Sequence, residues 1–155
     1  MRRGHHHRFA KKKLLIMTRD NPKAVELSFH LPKKTDGRGC LSFIESNNHI
    51  PFQIKSVNWL RITSESKFLD GRARRVTHEL IVAISGHCRI NIDDGSKKFI
   101  ANLDGPHKAV HLPPKHWRSF DFCSPDATLL IIASDAYHES DYLRDYSLFL
   151  ATLSA

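Results

Sequence analysis

The chain has 155 residues, 41% of them hydrophobic and 26% charged, a composition that suits one globular domain with its own core and excludes a disordered polymer. No apolar run reaches the roughly 18 residues of a membrane-spanning helix, so no membrane partner is expected. Cys40, Cys88 and Cys123 are odd in number and lack C-x-x-C spacing, which argues against a disulfide framework or a cysteine zinc site and for a reducing cytoplasm.

The formal charge of +8 invites a nucleic-acid reading. Residues 1–13, MRRGHHHRFAKKK, hold six of the 24 Lys+Arg and no acid, leaving 18 basic against 16 acidic residues in the rest. Residues 1–20 therefore read as a basic, flexible tail and 21–155 as a single domain, with nucleic acid disfavoured as a partner. The apolar stretch Leu14–Met17 is too short for a signal peptide.

Beyond the tail, short alternating runs are broken by turn residues. Thr35-Asp36-Gly37-Arg38-Gly39 is a turn before a strand over Leu41–Glu45, and Ile50-Pro51-Phe52 leads into a second over Ile54–Ile62. Leu80–Ile84 is a compact apolar strand closed by Ser85-Gly86. Cys88–Ile92 and Lys98–Leu103 flank Asp93-Asp94-Gly95, a hairpin signal. Ala109–Leu112, Trp117–Phe122 and Thr128–Ala133 continue the pattern. From Glu139 to Leu153 the apolar spacing turns helical after a Ser140 or Asp141 cap. The expected fold is all-β, a sandwich or barrel of jelly-roll type with a C-terminal helix.

Several segments occur in a fixed order: Gly37-Arg38-Gly39, Ile50-Pro51-Phe52, Ser85-Gly86-His87-Cys88, Asp93-Asp94-Gly95, Leu112-Pro113-Pro114 before Trp117-Arg118, Ala133-Ser134, and Glu139-Ser140-Asp141-Tyr142-Leu143-Arg144-Asp145-Tyr146. Over about residues 35–150 this set resembles the WxcM-like cupins, whose best-known members are dTDP-4-keto-6-deoxyglucose 3,4-ketoisomerases. The resemblance implies a cupin double-stranded β-helix, a homodimer, and a cytoplasmic role in making deoxy sugars for surface polysaccharides. It also implies a carbonyl transposition in which a base takes the C3 proton and donors steady the enolate oxygen. That chemistry needs no metal and no cofactor.

The family's base comes from an Arg-Gly-x-His-Ala-His strand before the Ser-Gly turn. Counting back from Ser85-Gly86, its two histidines fall on Arg72 and Arg74, with Ala73 retained between them. Arginine is a very poor base at neutral pH. The family's Arg-Val-Tyr-Tyr is likewise rewritten as Ser56-Val57-Asn58-Trp59. Arg72-x-Arg74, Glu79 and Gly86 keep the cupin metal-site spacing without its histidines, so a metal site is not expected. Glu79 is expected to pair with Arg72 or Arg74 inside the barrel, both arginines pointing inward.

Arg72, Arg74 and Glu79 are thus the candidate catalytic residues, and Trp59, His116 and Arg118 the candidate ligand-binding residues. Trp59 fits either a stacking role or the core. Arg118 beside an aromatic residue suits pyrophosphate or base contacts, or an external salt bridge. His78 reads as exposed at a strand edge, and Cys88 and Cys123 as buried, inert thiols. Asp141, Arg144 and Asp145 read as ties between helix and barrel. Two functions follow. One is a dTDP-sugar 3,4-ketoisomerase using Glu79 or a nearby histidine as base. The other is a cupin without catalysis that binds a sugar nucleotide, another anionic ligand or a pathway partner.

Overall fold

In a computed structural model the chain is described over residues 27–63 and 69–154; the basic segment read from residues 1–20 lies outside them. Twelve strands and one helix follow in order: β1 (Ser28–His30), β2 (Lys33–Asp36), β3 (Gly39–Ser42), β4 (Ser56–Arg61), β5 (Leu69–Arg74), β6 (Glu79–Ser85), β7 (Cys88–Asp93), β8 (Lys98–Leu103), β9 (Lys108–Leu112), β10 (Trp117–Cys123), β11 (Thr128–Ala133), β12 (Tyr142–Leu143) and α1 (Tyr146–Leu153). They build two antiparallel five-stranded sheets, β1-β9-β6-β11-β4 and β12-β5-β10-β7-β8, and an outlying β2–β3 hairpin. This is the expected jelly-roll barrel with its C-terminal helix.

Period-two alternation decides which residues fill the barrel. Ile81, Ala83, Val110, Leu112, Leu129 and Ile131 from one sheet meet Ile90, Ile92, Ala101, Leu103 and Phe120 from the other in one buried cluster. The intervening residues of β6, Leu80 and Val82, face outward yet stay buried. Leu31, Ile50 and Phe52 cover them with Ala109 and Ile132. That is why Leu80–Ala83 reads as a continuous apolar run rather than an alternating one. On the other sheet, Ala73 of β5 packs outward with Leu143 and Phe149, joined by Trp117 and Leu153. A Cβ added at Gly71 would come within 2.5 Å of the Trp117 ring, so this strand tolerates the indole only because position 71 has no side chain.

Three sequence expectations are corrected. The C-terminal helix does not run from Glu139: Glu139–Asp141 is a single 3-10 turn, and Tyr142–Leu143 pairs with Arg74 and Ala73 on β5. The cap is Asp145, whose carboxylate accepts from the Leu148 N–H, because Asp141 is engaged elsewhere. Cys88 and Cys123 are not separate thiols. They are register partners on β7 and β10, with Cα atoms 4.2 Å apart, and form a disulfide. An odd cysteine count with a sequence separation of 35 gave no sign of that adjacency; Cys40 is the exposed free cysteine. Finally, β1 and β2 were not anticipated, being short and polar.

Phe149 is fully buried under β5. Truncation to Ala is expected to lower stability by about 3–5 kcal/mol, read as the shift in urea midpoint at unchanged slope.

Candidate functional site

The site lies at the barrel end where β5 finishes and β6 and β10 begin. Because Ala73 faces α1, its neighbours Arg72 and Arg74 face the interior, and the inward expectation for both holds. Arg74 is buried and donates from Nε to Asp141 Oδ2 at 2.6 Å, from Nη1 to Glu79 Oε1 at 3.1 Å and from Nη2 to Thr77 Oγ1 at 3.1 Å. Arg118 enters from β10, directly opposite Arg72 in register. It is only 2% exposed, and its Nε donates to Glu79 Oε2 at 3.1 Å. Glu79 therefore pairs with Arg74 as expected, and with Arg118 rather than Arg72. Arg118 forms an interior ion pair, not an external one.

Each carboxylate here is fully employed. Asp141 also accepts the Val76 N–H at 2.8 Å, which draws the 3-10 turn onto the end of β5. Burial alone would raise the Glu79 carboxyl, but the Arg118 and Arg74 guanidiniums outweigh it and hold it below the ordinary carboxylate range. A carboxylate so held is a weak proton acceptor. Among the described residues no carboxylate pairs with Arg72; burial, and then the Arg118 charge, pull it down from its ordinary value. Its Nε and the Nη1 of Arg118 are buried without a hydrogen-bond partner among the described residues. The Tyr142 ring lies 4.0 Å from the Arg74 guanidinium and 5.7 Å from that of Arg72, a cation–π contact on the face of β12.

His116 lies half-buried in the loop just before β10, two residues from Arg118. Lys115 sits at φ 59°, and its N–H donates to the Arg74 carbonyl at 2.7 Å. This left-handed turn after Pro113-Pro114 fixes where the chain enters β10, with His116 just before its first residue, Trp117. His116 Nδ1 lies 3.1 Å from the Pro114 carbonyl. A carbonyl only accepts, so Nδ1 carries the proton in that bond and Nε2 keeps its lone pair.

Trp59 does not join this group. It pairs with Leu130 on the outer face of the edge strand β4 and is 73% exposed. Its neighbour Asn58 takes the inward parity opposite Ile131. His78 is not an exposed edge residue. Its Nδ1 lies 3.0 Å from Nε2 of His111, and both rings pack on Phe52. This pair lies on the outer face of β6 and β9, outside the barrel. Sequence reasoning missed it because the two histidines are 33 residues apart and meet only through the β6–β9 register. Among the described residues no group of three or more His, Cys, Asp or Glu is placed to hold a metal ion, and no helix is long and apolar enough to cross a membrane.

The family described as FdtA: WxcM-like, C-terminal, matches residues 23–154. A TDP-4-oxo-6-deoxy-alpha-D-glucose-3,4-oxoisomerase of Aneurinibacillus thermoaerophilus is 34% identical over 117 residues, 76% of this chain and 84% of that protein. The crystal structure of the WlaRB TDP-quinovose 3,4-ketoisomerase of Campylobacter jejuni superposes with a TM-score of 0.76 at 30% identity, over 80% of this chain and 95% of that one. A 3,4-ketoisomerase of Helicobacter canadensis gives 0.78 at 29% identity, over 83% and 96%.

The outer histidine pair makes a pH prediction. Burial first, then the charges of His78 and His116, lower His111 from 6.5 to about 4. As pH falls through that window the unfolded chain takes up a proton that folded His111 refuses. Stability present above pH 6.5 is therefore lost on acidification, by on the order of 3 kcal/mol at full extent. His111→Gln is expected to flatten the fall of the urea midpoint between pH 6.5 and 4.5.

Proposed function

The chain belongs to the WxcM-like C-terminal family, and from that premise we propose that it is a nucleotide-sugar 3,4-ketoisomerase acting on a dTDP-4-keto-6-deoxyhexose in deoxysugar assembly. The observation that carries the reading within the family is the set of interior guanidinium donors, Arg72 and Arg118, at the positions opposite each other on β5 and β10. Arg72 and Arg74 stand where the family keeps its histidine pair. In the reaction a base takes the C3 proton and the electron pair moves onto the C4 oxygen. The resulting enediolate is reprotonated at C4, and the hydroxyl proton passes from the C3 oxygen to the C4 oxygen as C3 becomes the ketone. Guanidinium donors aimed at the C4 oxygen stabilise the charge as it develops, when it is worth most.

The base we assign is His116, through Nε2, because its Nδ1 proton is committed to Pro114. Glu79 has the weaker claim: both its oxygens hold arginines, and its role is to fix their direction. Arg72, Arg74 and Arg118 are electrostatic and positioning groups. A second reading, binding without catalysis, is favoured by the same arrest of Glu79 between two guanidiniums.

The unpartnered elements support a homodimer. The β2–β3 hairpin is exposed along nearly its whole length, with Leu41 at its tip strand, and the edge strand β4 exposes Val57 and Trp59. Trp59 fits this surface better than a ligand pocket. The nucleotide-linked substrate supports a cytoplasmic setting, while the cysteine argument for one falls with the Cys88–Cys123 disulfide.

Incubation with dTDP-4-keto-6-deoxyglucose in deuterated buffer, followed by proton NMR, tests the reaction. Formation of a 3-keto product, or deuterium entering C3 or C4 above the enzyme-free rate, is the expected result. His116→Asn should slow it by about 10²-fold or more. Saturable binding without exchange would replace the isomerase reading with the binding one. Light scattering on the eluting protein should give twice the monomer mass, and Trp59→Glu should shift the equilibrium toward monomer.

A further inference from the structure

We propose that the outer face of the β12-β5-β10-β7-β8 sheet carries a binding site for a neutral saccharide, at the end of the barrel that holds the Cys88–Cys123 disulfide and away from the arginine cluster. A cavity of about 550 Å³ lies there. Among the described residues it is lined by His87, Arg89, Asn102, Asp104, Asp121 and Phe122, over the buried Cys88 and Leu103. That volume is in the range of small-molecule sites.

A bulge in β10 builds the site. Phe120 stands opposite Ile90 and Phe122 opposite Arg89, so Asp121 is an extra residue on β10. Phe120 packs in the core, and strict alternation would turn Phe122 inward after it. The extra residue instead puts Phe122 outward beside Asp121, and the fully buried Cys123 takes the inward place. The half-buried Phe122 ring lies 5.4 Å from the His87 ring, tilted by 33°. On β7 and β8, Arg89 and Asn102 are exposed register partners, while their neighbours Cys88, Ile90, Ala101 and Leu103 fill the core. Both therefore stand on the outer face. The result is an aromatic floor with a guanidinium, an amide and two carboxylates around it.

The charges around the cavity select the ligand. Arg89 forms an ion pair with Asp121, and Asp104 lies 3.7 Å from the Lys108 Nζ. Each carboxylate is met by a cation, and no Lys or Arg of the lining is left over to hold a phosphate or a carboxylate. A wholly apolar ligand would strip water from Arg89, Asp121 and Asn102 without replacing their hydrogen bonds. A pyranose ring satisfies both conditions. Its axial C–H groups cover an aromatic face, and its adjacent hydroxyls donate to a carboxylate and accept from a guanidinium or an amide. Beside Arg89 the outer face continues with Asn91 and Ser119, half-buried register partners on β7 and β10, so a second ring also finds uncharged partners. The site uses none of the residues of the proposed reaction, and it stands or falls separately from the isomerase reading.

Titration of the 15N-labelled full chain with D-glucose, D-galactose, D-mannose, maltose and cellobiose, followed through the amide resonances, tests it. At least one of these sugars should shift the amides of residues 87–89, 102–104 and 121–122 saturably in the millimolar range. Phe122→Ala should weaken that binding at least tenfold. Asn102→Ala, on the exposed edge strand β8, should weaken it several-fold with the other resonances in place, and it decides the matter should Phe122→Ala not fold. Tyr137→Ala, which removes an exposed aromatic ring outside the cavity, should leave the binding unchanged. Saturating dTDP should not displace the sugar. Displacement by dTDP would put the sugar in the barrel and overturn the proposal. So would the absence of these shifts with all five sugars, or larger shifts of the same amides with adenosine or inorganic phosphate.

Discussion

The whole arrangement turns on the Glu79 carboxylate held between Arg74 and Arg118 at 3.1 Å on either side. Those three residues come from β5, β6 and β10 and so from both sheets. Their ion pairs therefore close one end of the barrel, where hydrophobic packing would otherwise do so. Charges this deep offset their desolvation only with good geometry and further hydrogen bonds. Thr77, Asp141 and the Val76 N–H provide these. Asp141 in turn carries the 3-10 turn, and through it β12 and α1, onto the edge of β5. The position of the C-terminal segment is thus set as much by an aspartate in the polar cluster as by Phe149 in the apolar one.

The same cluster separates what a guanidinium does from what an imidazole does. A histidine pair in this place can exchange protons near neutrality. Arginines at Arg72 and Arg74 hold their protons and can only attract, orient and donate. In the proposed reaction, proton transfer therefore falls to His116, outside the arginine cluster. Arg72, Arg74 and Arg118 thus give the barrel interior a standing cluster of guanidiniums around Glu79 and Asp141.

Much of this was legible in the residues, for physical reasons that differ by element. β8 and β11 follow from alternation and turn chemistry, and Lys98–Leu103 and Thr128–Ala133 agree with their sequence bounds. The Asp93-Asp94-Gly95 turn joins β7 to β8 as its composition requires. The inward placement of Arg72 and Arg74 was expected from the family resemblance, and the pairing of Glu79 with Arg72 or Arg74 from the cupin spacing of those residues. What local pattern could not supply was register. The Cys88–Cys123 disulfide, the His78–His111 contact and the Arg118–Glu79 bond each depend on how two distant strands align. Trp59 was misplaced for the same reason: alternation tells which residues share a face, but only the sheet order tells which face is inside.

The two ends of β10 are fastened by different kinds of bond. At one end Cys88 and Cys123 join β7 to β10 covalently; five residues away along β10, roughly 17 Å at strand rise, Arg118 is held by charge. The covalent clasp is indifferent to acid, whereas the ionic one is lost when its carboxylates are protonated. A change of solvent that leaves the apolar middle intact therefore acts on this protein from one side. This strand is thus anchored unequally, by a covalent bond at Cys123 and by the charge of Glu79 at Arg118.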